Sequence, residues 1–208
     1  MKTANKKAFF TTKWLTYTAV MTAMVVATAA IPPAPTPAGN VYWCDGVIFL
    51  AAYLFDPLAA FIVGGLGTFL YDLCFGNAAM MLVSLVIHGL QGAAVSAILH
   101  YAFPKKSKYE PLFAGISSVA GAIIVILGYF LTYWLIVSRG YAYAAIRVPR
   151  NIIQEAVGIA FAMTLCYATT LKRRLTKNNL LPDFSREILG KDSERKDSQP
   201  PTPDTANI

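Results

Sequence analysis

A chain of 208 residues that is 56% hydrophobic and only 14% charged is not composed like a soluble domain, in which about a quarter of the residues are charged. Its net charge of +7 is confined to the two ends and a few short loops, and from Trp14 to Phe103 the ionised residues are Asp45, Asp56 and Asp72 alone. That distribution excludes a basic nucleic-acid face and describes a membrane protein whose cations set its orientation.

The first apolar stretch runs from Trp14 to Ile31, after Lys2, Lys6, Lys7 and Lys13. Its basic flank and the small residues Ala27-Thr28-Ala29 also fit a secretory signal, but the run nearly reaches the ~20 residues of a span. Ala19, Ala23 and Ala27 recur every fourth residue. They make a smooth helix face suited either to a partner helix or to packing inside the chain's own bundle.

"IPPAPTPAGN" then ends the helix, and "VYWCDGVIFLAAYLFDP" follows. Asp56-Pro57 is either a kink in one helix from Val47 to Leu70 or a turn between two spans. The positive-inside rule separates these readings. Six spans with an inner N-terminus place Lys2, Lys6, Lys7, Lys13, Lys105, Lys106, Lys108, Lys172, Arg173, Arg174 and Lys177 inside and Arg139, Arg147 and Arg150 outside, a split of 11 to 3. Five spans divide the same residues 7 to 7. Six spans are therefore expected, with Asp56-Pro57 at the inner face and Cys44-Asp45-Gly46 at the outer face. The third span is read from Leu58 to Leu73, the fourth from Met80 to Phe103, the fifth from Leu112 to Val137 and the sixth from about Pro149 to Leu171. The fold class is thus an all-α membrane protein of six transmembrane helices with both termini cytoplasmic. Its expected domains are a basic N-terminus (1–13), the membrane substrate-binding domain (14–172) and a disordered cytoplasmic tail (173–208).

Polar side chains are costly in hydrocarbon, so their positions point to function. Asp45 opens the second span, with Trp43 just before it. Ser84, His88 and Gln91 share one face of the fourth at helical spacing. Tyr129 and Tyr133 lie in the outer half of the fifth, and Asn151, Gln154 and Glu155 at the outer start of the sixth. These ten residues are the candidate substrate contacts of a cup open to the outside and roofed by the Pro-rich loop. Apolar walls with a few convergent hydrogen-bonding groups suit a small, flat, polar-edged molecule. Asp72 reads instead as a helix end at the headgroups, Trp134 as part of the interfacial belt, and Arg147 and Arg150 as partners for Asp72 or Glu155. His88 suits a hydrogen bond to a neighbouring helix as well as a ligand contact. No catalytic residue, metal site, disulfide scaffold or phosphate-binding loop is read from the sequence. A stand-alone secondary permease is disfavoured because no internal repeat and no mid-membrane acid is seen. An intramembrane enzyme would need a nucleophile or metal set, and a scaffold without ligand leaves the polar cup unexplained.

"IPPAPTPAGNVYWCDGVIFLAAYLFDPLAAFIVGGLGTFLYDL", followed by "LVIHGLQG", "GYF" and "PRNIIQEAVG", resembles the substrate-binding S components of energy-coupling-factor (ECF) vitamin transporters. The similarity spans Leu15 to Leu171 and is nearest the riboflavin-type branch. It implies a six-helix, non-enzymatic cell-membrane protein that captures a vitamin or related heterocycle, of the riboflavin, pyridoxine or hydroxymethylpyrimidine class, on the outside. It implies as partners one ECF transmembrane scaffold protein and two ATPase subunits, so that ATP is used by the partners and this chain needs no cofactor. The docking face of the family falls on Ala19, Ala23 and Ala27, and its ligand positions fall on or near His88, Gln91, Asn151 and Gln154. Many relatives carry Lys where His88 stands, which makes a strictly anionic ligand less expected here.

Overall fold

The computed structural model describes residues 11–37, 39–75, 78–103 and 108–177. Helix α1 (Thr12–Ala29) is capped by Thr11, whose hydroxyl accepts from the Trp14 amide at 3.2 Å. A small antiparallel hairpin follows, β1 (Ala34–Thr36) with β2 (Gly39–Val41), pairing Ala34 with Val41 and Thr36 with Gly39. The Pro-rich stretch is therefore an ordered hairpin.

Helix α2 (Asp45–Leu54) is only ten residues long, and every one of them is buried. At 1.5 Å per residue it spans about 15 Å, half a hydrocarbon core. A helix this short and apolar on all sides belongs in the centre of a bundle, and α2 packs against α1, α3, α4 and α6. It stops at Phe55, whose backbone is extended, and α3 (Pro57–Phe75) begins after Asp56. Asp56 is the cap of α3: its Oδ1 accepts the amides of Leu58 at 2.9 Å and Ala59 at 3.0 Å, while Pro57 occupies the first helical position. The other oxygen, Oδ2, accepts the Trp14 indole at 2.7 Å and ties the start of α1 to this turn. Asp56-Pro57 is thus a capped turn between two helices, and the single kinked helix does not form.

Helix α4 (Met81–Ala97) follows a 3-10 turn at Ala78–Met80, and α5 (Glu110–Leu131) and α6 (Tyr141–Met163) complete the bundle. Each of α4, α5 and α6 runs on into a five-residue π-helical turn, at Ile98–Ala102, Thr132–Ile136 and Thr164–Ala168. With those turns, four stretches among the described residues are long and apolar enough to cross a membrane: Pro57–Phe75, Ala78–Ala102, Glu110–Ile136 and Tyr141–Ala168. A short basic helix, α7 (Leu171–Lys177), continues past the expected boundary at 172, held to α5 by the Lys172–Glu110 ion pair. The expected tail beyond it lies outside the described residues, as do the basic N-terminus up to residue 10 and Lys105 and Lys106.

Helix α6 starts at Tyr141, eight residues before the expected Pro149, which lies inside the helix. Asn151 therefore sits in its third turn and does not open it. Contact between α3 and α4 is backbone to backbone: a Cβ on Gly65 would stand 2.6 Å from the Leu85 carbonyl oxygen, and one on Gly92 2.5 Å from that of Ala60. Ser96 donates to the Phe55 carbonyl at 2.6 Å and fixes the lower end of α2 against α4.

Candidate functional site

The close α3–α4 contact and the short α2 set the level at which the polar side chains meet. A Cβ on Gly158 of α6 would stand 2.9 Å from the Asp45 Cβ, so the N-terminus of α2 touches α6 two-thirds of the way along the 28-residue stretch Tyr141–Ala168. Asp45 is thus buried midway along α4 and α6. Asp45 opens α2 as expected and is fully buried, because a ten-residue helix packed against α1, α3, α4 and α6 keeps its first residue among its neighbours.

Around Asp45 the candidates form one network. Gln154 donates from Nε2 to Asp45 Oδ2 at 2.6 Å and accepts the Tyr42 amide at 3.0 Å, coupling the site to the hairpin. His88 Nδ1 lies 3.2 Å from Asp45 Oδ1 and 2.9 Å from Gln91 Oε1. Gln91 Nε2 donates to Glu155 Oε2 at 2.7 Å. On the other side of the ring, His88 Nε2 is 3.2 Å from the Tyr129 hydroxyl, which is 2.9 Å from Ser84 Oγ, and Ser84 donates to Asp72 Oδ2 at 2.5 Å. Ser84 and Tyr129 thus link Asp72 to Nε2 of the imidazole, while Nδ1 on the opposite side faces both Asp45 and Gln91.

The network unites Asp45, Ser84, His88, Gln91, Tyr129, Gln154 and Glu155 from α2, α4, α5 and α6. It is closed to solvent, with each of these side chains buried beneath the hairpin. Asn151 is buried beside it, and its Oδ1 accepts both Nε (3.0 Å) and Nη2 (2.6 Å) of Arg150. Tyr133 stands at the margin, stacked on Tyr129 at 6.2 Å. Trp43 stays apart: its indole donates to the Pro32 carbonyl at 3.1 Å and its side chain is 39% exposed. Trp134 is 42% exposed against Tyr141, as an interfacial aromatic would be.

Two expectations are corrected. Asp72, read as a helix-end residue, is buried one turn before the end of α3 and accepts a hydrogen bond from Ser84. Acids are present midway along the bundle, because Asp45 and Glu155 from separate helices converge where neither is visible as a sequence pair. The Tyr42 amide carries no side-chain signal and was not readable in advance.

Two oxygens remain poorly served. Glu155 Oε1 is buried with no hydrogen bond, and Asp45 Oδ1 faces only His88 Nδ1 at 3.2 Å, a nitrogen that also faces Gln91 Oε1, in a cluster holding three carboxyl groups against one imidazole. An acceptor left unpaired in a dry interior costs ~1–3 kcal/mol. The site is therefore short of donors.

Residues 9–172 match the family described as the ECF-type riboflavin transporter, S component. The chain is 33% identical over 156 residues to the thiamine precursor transporter HmpT of Lactococcus lactis subsp. cremoris (strain MG1363), covering 74% of this chain and 85% of that protein. It is 32% identical over 144 residues to an uncharacterized protein in a gap 3' region of Pyrococcus woesei, covering 69% of this chain and 89% of the other. Its fold is similar to a solved structure described as the S component of a bacterial ECF transporter, with a TM-score of 0.53 at 22% identity over 79% of this chain and 96% of that one. A buried polar centre inside a helical membrane bundle, matched by this family over residues 9–172, leads to one assignment: the chain belongs to the ECF-type riboflavin transporter S components, and is a multi-pass membrane protein that serves as the substrate-binding subunit of an ECF transporter.

Proposed function

We propose that the cup binds a small nitrogen heterocycle of the thiamine-precursor class, a hydroxymethylpyrimidine in preference to a flavin. The observation behind this reading is a pair of buried carboxyl oxygens short of donors, Glu155 Oε1 with no hydrogen bond and Asp45 Oδ1 with only His88 Nδ1 at 3.2 Å. An aminopyrimidine presents an exocyclic amine beside a ring nitrogen and supplies N–H donors to both. The pyrimidine edge of a flavin presents one N–H between two carbonyls, and those carbonyls would face carboxylates. The name of the Lactococcus lactis relative points the same way.

In this reading α1 to α6 all cross the membrane and both termini are cytoplasmic, as the distribution of Lys and Arg favours. Ligand enters beneath the hairpin, contacts His88, Gln91, Asn151, Gln154 and Glu155, and leaves inward once partners act. Helix α1 turns Trp14, Thr18, Met21, Thr22, Val25 and Ala29 toward the bundle, while Ala19, Ala23 and Ala27 are exposed. That free small-residue face suits a helix of the ECF transmembrane scaffold protein, with two ATPase subunits completing the complex. The chain itself needs no cofactor, since ATP is consumed by the partners.

The test is native mass spectrometry of the purified protein, with calorimetry against a hydroxymethylpyrimidine and riboflavin. The pyrimidine is expected to bind the more tightly. Flavin absorbance that co-purifies with the protein at equal stoichiometry would refute the assignment.

A further inference from the structure

The outer part of α6 carries a second feature that the heterocycle does not use. Arg147 and Arg150 stand three residues apart on one helix, where like charges repel. They nevertheless converge. Arg150 Cδ, Arg147 Nη1 and Arg150 Nη1 lie 3.2 Å, 3.5 Å and 4.0 Å from the point where a Gly39 side chain would begin, at the start of β2. Gly39 has a φ of +124°, a backbone that favours glycine, and the missing side chain lets both arginines approach the hairpin there.

Among the described residues neither arginine has a carboxylate partner. The ion pairs among the described residues are His88–Asp45 and Lys172–Glu110. Asp72 is bonded to Ser84 and Glu155 to Gln91, so the pairing expected from sequence does not occur. Neutral groups hold both guanidinium groups in place. Arg150, 8% exposed, is fixed through Nε and Nη2 by Asn151 Oδ1, which leaves Nη1 directed at the hairpin. Arg147 donates from Nη2 to the Tyr143 hydroxyl at 2.6 Å and lies over the rings of Tyr143 and Tyr133 at 4.6 Å and 5.1 Å. Two oriented guanidinium groups with no carboxylate partner among the described residues, one of them buried, have the form of an oxyanion receptor.

We infer that Arg147 and Arg150, beneath the hairpin at Gly39, form a phosphate-group subsite next to the heterocycle cup. Asn151 and Gln154 continue the same face of α6 inward from Arg150 to Asp45, so an extended ligand could place its donor edge on the carboxylates and a phosphate ester on the arginines. The same phosphate chemistry is offered by a lipid headgroup at the outer rim. The site is additional to the cup and its test does not depend on the heterocycle.

Full-length protein, stripped of lipid in a neutral detergent and held at fixed ionic strength, is titrated calorimetrically with inorganic phosphate. Saturable binding is expected, weakened roughly ten- to a hundredfold by Arg150→Gln and by Arg147→Gln and partly restored by Arg147→Lys. Should the buried Arg150→Gln protein fail to fold, the half-buried Arg147→Gln carries the test. Repeating the titration with phosphatidylglycerol added separates the sources: loss of phosphate binding assigns the site to a lipid headgroup, and undiminished binding assigns it to a soluble phosphate ester. Absence of saturable binding, or equal binding by wild type and the Arg147→Gln protein, overturns the inference. The hydroxymethylpyrimidine titration of wild type is run alongside, and its failure counts against the cup alone.

Discussion

Glu155→Gln separates a ligand-binding carboxylate from a structural one, because the two roles predict opposite signs. The change is nearly isosteric. The amide oxygen can keep the 2.7 Å bond from Gln91 Nε2, and the amide nitrogen then occupies the position of Oε1, which has no partner. In the empty protein this removes an unpaired acceptor and a carboxyl group from a residue that is 1% exposed. Relief of one unpaired buried acceptor is worth ~1–3 kcal/mol, so the thermal midpoint of the unliganded variant is expected to rise. In the complex, the ligand N–H that met a carboxylate oxygen meets another N–H. Loss of a hydrogen bond to a charged group, at ~1.5–3 kcal/mol, weakens heterocycle binding roughly 10- to 150-fold. Calorimetry on the purified variant and a melting curve without ligand measure both quantities. Wild-type affinity in the variant, or a fall in the unliganded midpoint, would refute the reasoning, the first by removing Glu155 from the ligand and the second by making its charge structural.

Ala23→Leu enlarges the exposed face of α1 and is expected to abolish ATP-driven uptake while leaving calorimetric ligand binding unchanged; normal uptake would move the docking face elsewhere. Gly92→Ala places a Cβ 2.5 Å from the Ala60 carbonyl oxygen and should destabilise by ~1–3 kcal/mol. Gly115→Ala, which meets nothing within 4 Å, should stabilise by up to about 1 kcal/mol, and melting curves in the reverse order would contradict the α3–α4 contact. Asn40→Cys in the hairpin should react with an impermeant thiol reagent only from outside, and Lys106→Cys, outside the described residues, only from inside; labelling of position 106 from outside would invert the topology.

Much of this architecture is legible locally. Asp56-Pro57 had to be a boundary once Pro removes a donor and Asp supplies a cap, and the charge split among the loops chose a turn over a kink. Ser84, His88 and Gln91 share a face because helical spacing brings them together whatever surrounds them. The start of α6 was not legible, since Pro149 reads as a helix beginning while Tyr141–Val148 precede it without a capping side chain. Adjacent residues show where local reading ends: at Tyr42 and Trp43 the sequence favours the indole, yet the site takes the Tyr42 backbone amide and leaves Trp43 on Pro32. The depth of Asp45, its meeting with Glu155 and the burial of Asp72 were likewise decided by packing. The sequence by itself determined which segments are helices and which polar groups each helix presents, because those depend on neighbours within a turn. Only the tertiary structure decided which carboxylates share one dry centre, because that depends on how far a ten-residue helix reaches and how closely glycines let its neighbours approach.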